Sequence, residues 1–144
     1  MSGVFRSIFA VFAGFVAASA IMMAVECVNG QILYPELGKS AAGVTDIKKI
    51  KEIMASAPVG ALVVVLFGWV LGSLGGGFLT TLISRKPAGG PATVLGCLLT
   101  LAGVANNLML PPPIWFWLAT FVVFLPATYL GASLVPKREP IQET

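Results

Sequence analysis

Histidine is absent from the 144 residues, and charged residues make up only 10% of them. The first absence removes imidazole as a general base and as a haem or zinc ligand. The second stands beside a hydrophobic content of 57%, against about 45–50% in soluble domains. Together they exclude a disordered chain and argue against a soluble globular domain. Cysteine is limited to Cys27 and Cys97, with no CxxC pair. Cys97 falls about 15 Å below the outer helix ends at ~1.5 Å per residue, so no internal bridge is expected. No nucleophile stands beside a base, and no metal-ligand cluster is present. Gly75-Gly76-Gly77 lacks the strand and basic partner of a phosphate loop. No catalytic residue, cofactor site or metal site is therefore predicted. Nine Lys+Arg face six Asp+Glu, a balance that also excludes a basic nucleic-acid binder.

Long apolar runs dominate what is there. Four segments meet the ~20-residue requirement for crossing a bilayer. They are 7–25, continuing to about 28 beyond the first charge at Glu26, then 59–84, 92–110 and 114–135. Backbone groups must pair within each segment in hydrocarbon, which predicts helices. The runs are too long and lack the alternation of barrel strands. The predicted fold is therefore all-α: one membrane domain over 1–144, four transmembrane helices, and an outer loop at 29–58. Lipid is the first expected partner.

Arg6 and the small residues Ala18-Ser19-Ala20 resemble parts of a secretory signal. The apolar run continues through Val25, however, so an uncleaved helix is expected. Glu26 replaces the small residue that a lipoprotein cysteine at Cys27 would need. Arg6, Arg85, Lys86, Lys137 and Arg138 fall on one side of the membrane; Lys39, Lys48, Lys49 and Lys51 fall on the other. The basic turn and basic tail sit directly at helix ends, so both termini are expected in the cytoplasm.

In the outer loop, Val44, Ile47, Ile50, Met54 and Ala57 recur at helical spacing between lysines. This predicts a short amphipathic helix on the membrane surface, N-capped by Thr45, with a lid or partner-docking element as the alternative. Pro58 is expected in the first turn of the second membrane helix. No internal repeat is found.

Gly68, Gly72 and Gly76 form a glycine-zipper stripe in the second helix, extended by Gly60 and Thr80. Residues four apart share a face, and glycine admits another backbone closely. Packing within the bundle is the first expectation, a homo-oligomer contact the second, and a hinge softened by Gly75 and Gly77 the third. The third helix carries a corresponding stripe of Gly96, Thr100, Gly103 and Asn107, and the fourth offers Ala127 and Gly131.

Glu26 is the one acidic residue at the edge of a membrane helix. With Asn29, Gln31, Asn106 and Asn107 it is expected near the outer helix ends, where the five form a candidate polar site for a proton or small cation. The alternatives are a helix-end marker in the headgroup layer or an ion pair with Lys39, Lys48, Lys49 or Lys51. Trp115, Phe116 and Trp117 are expected to anchor the fourth helix at the interface, a ligand cage being the alternative. Trp69, beside Gly68, faces lipid or fills the glycine groove. Pro126 leaves the Val122 carbonyl without its helical donor and predicts a kink, with Thr128 or another helix satisfying the freed group.

Several of these patterns occur together: Val25-Glu26, Tyr34-Pro35, Pro58, Gly68-Trp69 with Gly72 and Gly75-Gly76-Gly77, and Asn107 before Pro111, Pro113 and Trp115. The set resembles an uncharacterised family of small four-helix bacterial inner-membrane proteins. Pro112 departs from it, since a histidine is expected between the two prolines. The resemblance implies a bacterial inner membrane and no particular activity. Two functions are expected from the residues. One is a packing or accessory protein that self-associates or binds other membrane subunits. The other is a small oligomeric carrier or channel using the polar site around Glu26 and Asn107.

Overall fold

The computed structural model describes residues 3–87 and 90–136. Lys137 and Arg138, used above for orientation, lie outside the described residues. Within them the chain is helical, with no strand. Helix α1 spans Gly3–Val28 and runs on as a π-helical turn at Asn29–Leu33. Short helices α2 (Pro35–Ala41) and α3 (Ile47–Ala55) follow. The long helices α4 (Val59–Ser84), α5 (Pro91–Met109) and α6 (Ile114–Ser133) complete the fold. Four stretches are long and apolar enough to cross a membrane: Gly3–Leu33, Val59–Ser84, Pro91–Met109 and Ile114–Ser133.

Local chemistry explains most boundaries. Pro35 opens α2 and Pro91 opens α5 at positions where a missing N–H is harmless. Asp46, rather than Thr45, caps α3, its carboxylate accepting from the Lys48 N–H at 2.9 Å. Pro58 stands at the N-cap of α4, one position before the expected first turn, with an extended backbone. Arg85 ends α4 in the left-handed conformation, φ 56°, and its N–H reaches the Thr81 carbonyl. Arg6 of α1 donates through Nε to the Ser84 carbonyl at 3.1 Å. A cation thus meets the negative end of the α4 dipole.

Helix α4 is the centre of the bundle and packs against α1, α5 and α6. Its contact with α1 is antiparallel and continuous. Ser84 meets Arg6, Thr80 donates to the Ala10 carbonyl at 3.2 Å, Gly76 faces Gly14, and Gly72 faces Ala18. Asn29 donates through Nδ2 to the Ala61 carbonyl at 3.1 Å and closes the same register at the other end. Each step of one turn along α1 is one turn back along α4. The partner stripe on α1 is made of Ala10, Gly14 and Ala18, all buried.

The second face of α4 belongs to α6. A Cβ on Gly77 would collide with the Thr128 carbonyl, and one on Gly131 with the Leu74 carbonyl. Successive glycines on α4 therefore serve different neighbours: Gly76 admits α1 and Gly77 admits α6. Gly75 meets only the tip of Ile21, at 2.5 Å from its would-be Cβ. The stripe on α5 packs against α6, where Gly96 faces Leu125 and Gly103 faces Phe124 and Thr120.

Trp69 lies inside this arrangement. It stacks on Phe124 with centroids 4.9 Å apart and meets the edge of Phe116 at 5.1 Å. Aromatic pairs at such distances add to the area they bury. Of the three aromatics after the proline turn, Phe116 is buried in the core, Trp117 is half-buried and Trp115 is exposed. Phe116 is thus a core residue rather than an interfacial anchor. The outward faces of the long helices are apolar, with Phe12, Val16, Leu101, Phe121 and Val122 exposed.

Candidate functional site

The five polar residues grouped by the sequence are divided among four environments. Asn29 is buried in the π-helical turn and bonded to Ala61; its Oδ1 has no partner. Asn107 is buried at the α5–α6 interface and donates through Nδ2 to Thr120 Oγ1 at 2.7 Å. Thr120 in turn donates to the Phe116 carbonyl at 2.9 Å, so the amide, hydroxyl and backbone form a chain across two helices. Asn106, one residue earlier, is exposed. Glu26 and Gln31 are exposed and face a different element, α2.

The reason is helical phase. Consecutive residues on a helix point about 100° apart, since one turn takes ~3.6 residues. Asn106 and Asn107 therefore cannot both face the bundle. Glu26 and Asn29, three positions apart, are neighbours on the helix surface, yet Asn29 bonds to α4 while Glu26 lines the cleft against α2.

Glu26 and Gln31 line a cleft of about 570 Å³ between the end of α1 and α2. Met23, Cys27 and Gly30 complete the α1 wall; Pro35, Gly38, Lys39 and Ala42 form the α2 wall. The walls meet where the backbones of Gly30 and Gly38 touch, since a Cβ on Gly38 would overlap the Gly30 carbonyl. Glycine at Gly38 is what lets α2 fold back so tightly. The Lys39 ammonium, one candidate partner of Glu26, is instead bonded to Glu36 at 3.0 Å.

Two further polar groups lie inside the bundle, and of these the sequence reading missed Ser73. Ser73 on α4 and Thr128 on α6 are buried, and their hydroxyl oxygens have no hydrogen-bond partner. Thr128 therefore does not serve the carbonyl freed by Pro126. Cys27 and Cys97 are both free thiols. Among the described residues, no group of His, Cys, Asp and Glu is arranged to hold a metal ion.

No family model, curated protein or solved structure matches the chain.

Proposed function

We propose that the chain is a packing or accessory protein of a bacterial inner membrane, acting by association with its own copies or with other membrane subunits. The observation that supports it is the direction of the buried polar side chains. Asn107, Thr80 and Asn29 bond across helix pairs, so they hold the bundle together rather than line an open polar path. The outward faces are left apolar, as lipid or a membrane partner requires. Both termini are cytoplasmic in this reading, and α3 lies on the outer surface of the membrane. Its Met54 packs against the bundle core, while Lys48, Lys49 and Lys51 are exposed. Native mass spectrometry of the protein released from membranes tests the proposal. The expected result is a homo-oligomer or a complex with another membrane protein. A lone monomer in gentle detergents and lipid particles alike overturns it.

The Glu26 cleft favours a second reading, a small carrier or channel. Four helices leave little room for a pathway, so this reading also requires an oligomer. Its test is pH-dependent ion or solute flux in proteoliposomes, lost in Glu26→Gln.

A further inference from the structure

We propose that the cleft between α1 and α2 binds the headgroup of a phospholipid carrying a primary ammonium and a phosphate. Glu26 receives the ammonium, and Lys39 receives the phosphate.

The cleft has the architecture for it. Met23, Glu26 and Cys27 of α1, continued by Gly30 of the π-helical turn, line one wall, and Pro35, Gly38 and Lys39 of α2, continued by Ala42 at its C-cap, line the other. The two walls open as a V from the Gly30–Gly38 contact. A carboxylate stands on one wall and an ammonium on the other, which matches a zwitterion. The volume of about 570 Å³ lies within the range of small-ligand sites, about 300–1,000 Å³.

Depth places the cleft at the headgroups. Glu26 follows Arg6 by about 20 residues of continuous helix, or ~30 Å at ~1.5 Å per residue. That is the thickness of the hydrocarbon core. With Arg6 at one boundary, Glu26 stands at the other, level with lipid amines and phosphates. Met23 lies one turn deeper and is 65% exposed, available to the first acyl carbons.

Charge and shape select among headgroups. A primary ammonium donates hydrogen bonds to the Glu26 carboxylate and the Gln31 amide oxygen. A choline headgroup has no such donors and favours aromatic cages, and none of the lining residues is aromatic. A glycerol headgroup brings no cation to Glu26, and its net negative charge is repelled. Lys39 is committed only to an exposed pair with Glu36, whose side chains are 73% and 87% accessible. Exposed pairs contribute about 0–1 kcal/mol, so a phosphate can take the lysine over.

The test uses delipidated full-length protein offered phosphatidylethanolamine, phosphatidylcholine or phosphatidylglycerol with matched acyl chains. Native mass spectrometry should show several-fold greater retention of phosphatidylethanolamine. Glu26→Gln should erase that preference without lowering the melting temperature. Lys39→Gln, on an exposed side of α2, should weaken it independently. In a Cys97→Ser background, maleimide should react several-fold more slowly with Cys27 in phosphatidylethanolamine nanodiscs than in phosphatidylcholine ones. Equal retention of the three lipids, or an intact preference in Glu26→Gln, overturns the proposal. Protection of Cys27 by soluble phosphoethanolamine at comparable concentration overturns the assignment to a lipid.

Discussion

Gly14 and Gly76 meet backbone to backbone: a Cβ built on either would stand 2.8 Å from the carbonyl oxygen of the other. The next turn repeats the arrangement, with a Cβ on Gly72 2.7 Å from the Ala18 carbonyl. Larger side chains here must drive α1 and α4 apart. Gly72→Leu is expected to lower the melting temperature in detergent clearly, since overpacking costs roughly 1–3 kcal/mol or more. Leu71→Ala, a neighbouring position on an exposed side of the helix, should shift it much less. Equal melting curves for the two variants would mean that the α1–α4 contact is not held by the glycine stripe.

The three consecutive glycines of α4 should differ in their tolerance of alanine. Gly77→Ala pushes against the Thr128 backbone, which cannot move without displacing α6. Gly75→Ala meets only the terminal methyl of Ile21, which can rotate away. The expected order of destabilisation is Gly77→Ala well above Gly75→Ala, read by thermal denaturation in detergent. If both variants are as stable as the wild type but alter activity or exchange dynamics, the run is a hinge rather than a packing device.

The α5–α6 pair offers a direct measure of a buried polar contact. Asn107→Leu and Thr120→Val should each destabilise, and the double variant should cost less than the two singles together. Interhelical hydrogen bonds in membranes average about 0.6 kcal/mol and reach about 1.7 kcal/mol. The coupling should fall in that range, with its upper half expected for a bond of 2.7 Å whose acceptor also donates onward. Zero coupling in the cycle would show that Asn107 and Thr120 act separately.

What the sequence displayed and what it concealed follow from the same physics. The four apolar runs were legible because length and hydropathy are one-dimensional properties. The α4 stripe was legible because glycine every fourth residue has few other uses. Its partner stripe on α1, Ala10, Gly14 and Ala18, carried the same small-residue spacing but was masked by abundant alanine elsewhere. Which stripe meets which could not be read. Helices that are apolar on all sides have no polar face to orient them, so nothing in the sequence shows that the α5 stripe meets α6 while Gly72 and Gly76 of α4 meet α1. The grouping within the candidate polar site was illegible for a related reason. The outer ends of the helices are expected to converge, but which residues face one another there depends on helical phase, which sends Asn106 and Asn107 to different surroundings. The π-helical turn at Asn29–Leu33 had no visible signal. Helix α2 did have one: Pro35 at its first position with Glu36 in its first turn.

Orientation can be read with single cysteines after Cys27 and Cys97 are replaced. Positive residues cluster at the α4 end, where Arg6, Arg85 and Lys86 come together around Ser84. The acidic residues Glu26, Glu36, Asp46 and Glu52 all lie at or beyond the opposite end of α1. Lys39, Lys48, Lys49 and Lys51 also lie on that opposite side but within the loop, whereas Arg6, Arg85 and Lys86 sit directly at membrane-helix ends, and this placement predicts that the Arg85–Lys86 end is cytoplasmic. In intact cells an impermeant maleimide should react with a cysteine at position 49 and not with one at position 86. The reverse pattern overturns the assignment, and labelling at both positions indicates insertion in two orientations.

Glu26 separates the two functional readings. Its side chain is exposed, and none of the hydrogen bonds or ion pairs described within the bundle uses it. Its replacement by glutamine keeps the shape and removes the charge, so assembly and melting temperature should stay within the small change expected of a surface site, about 0.5 kcal/mol. That outcome alone suits either reading, so it must be paired with a flux measurement. Proteoliposomes containing the wild type should show no pH-driven ion or solute movement above that of protein-free vesicles if the chain is an accessory protein. They should show movement that Glu26→Gln abolishes if it is a carrier. The structure favours the first result. Asn107, which a carrier would need beside Glu26, is bonded to Thr120 on the far helix pair, and Asn29 is turned to α4. A pH-dependent flux lost in Glu26→Gln, with the oligomer intact, would require these groups to regroup in a second conformation and would retire the accessory reading.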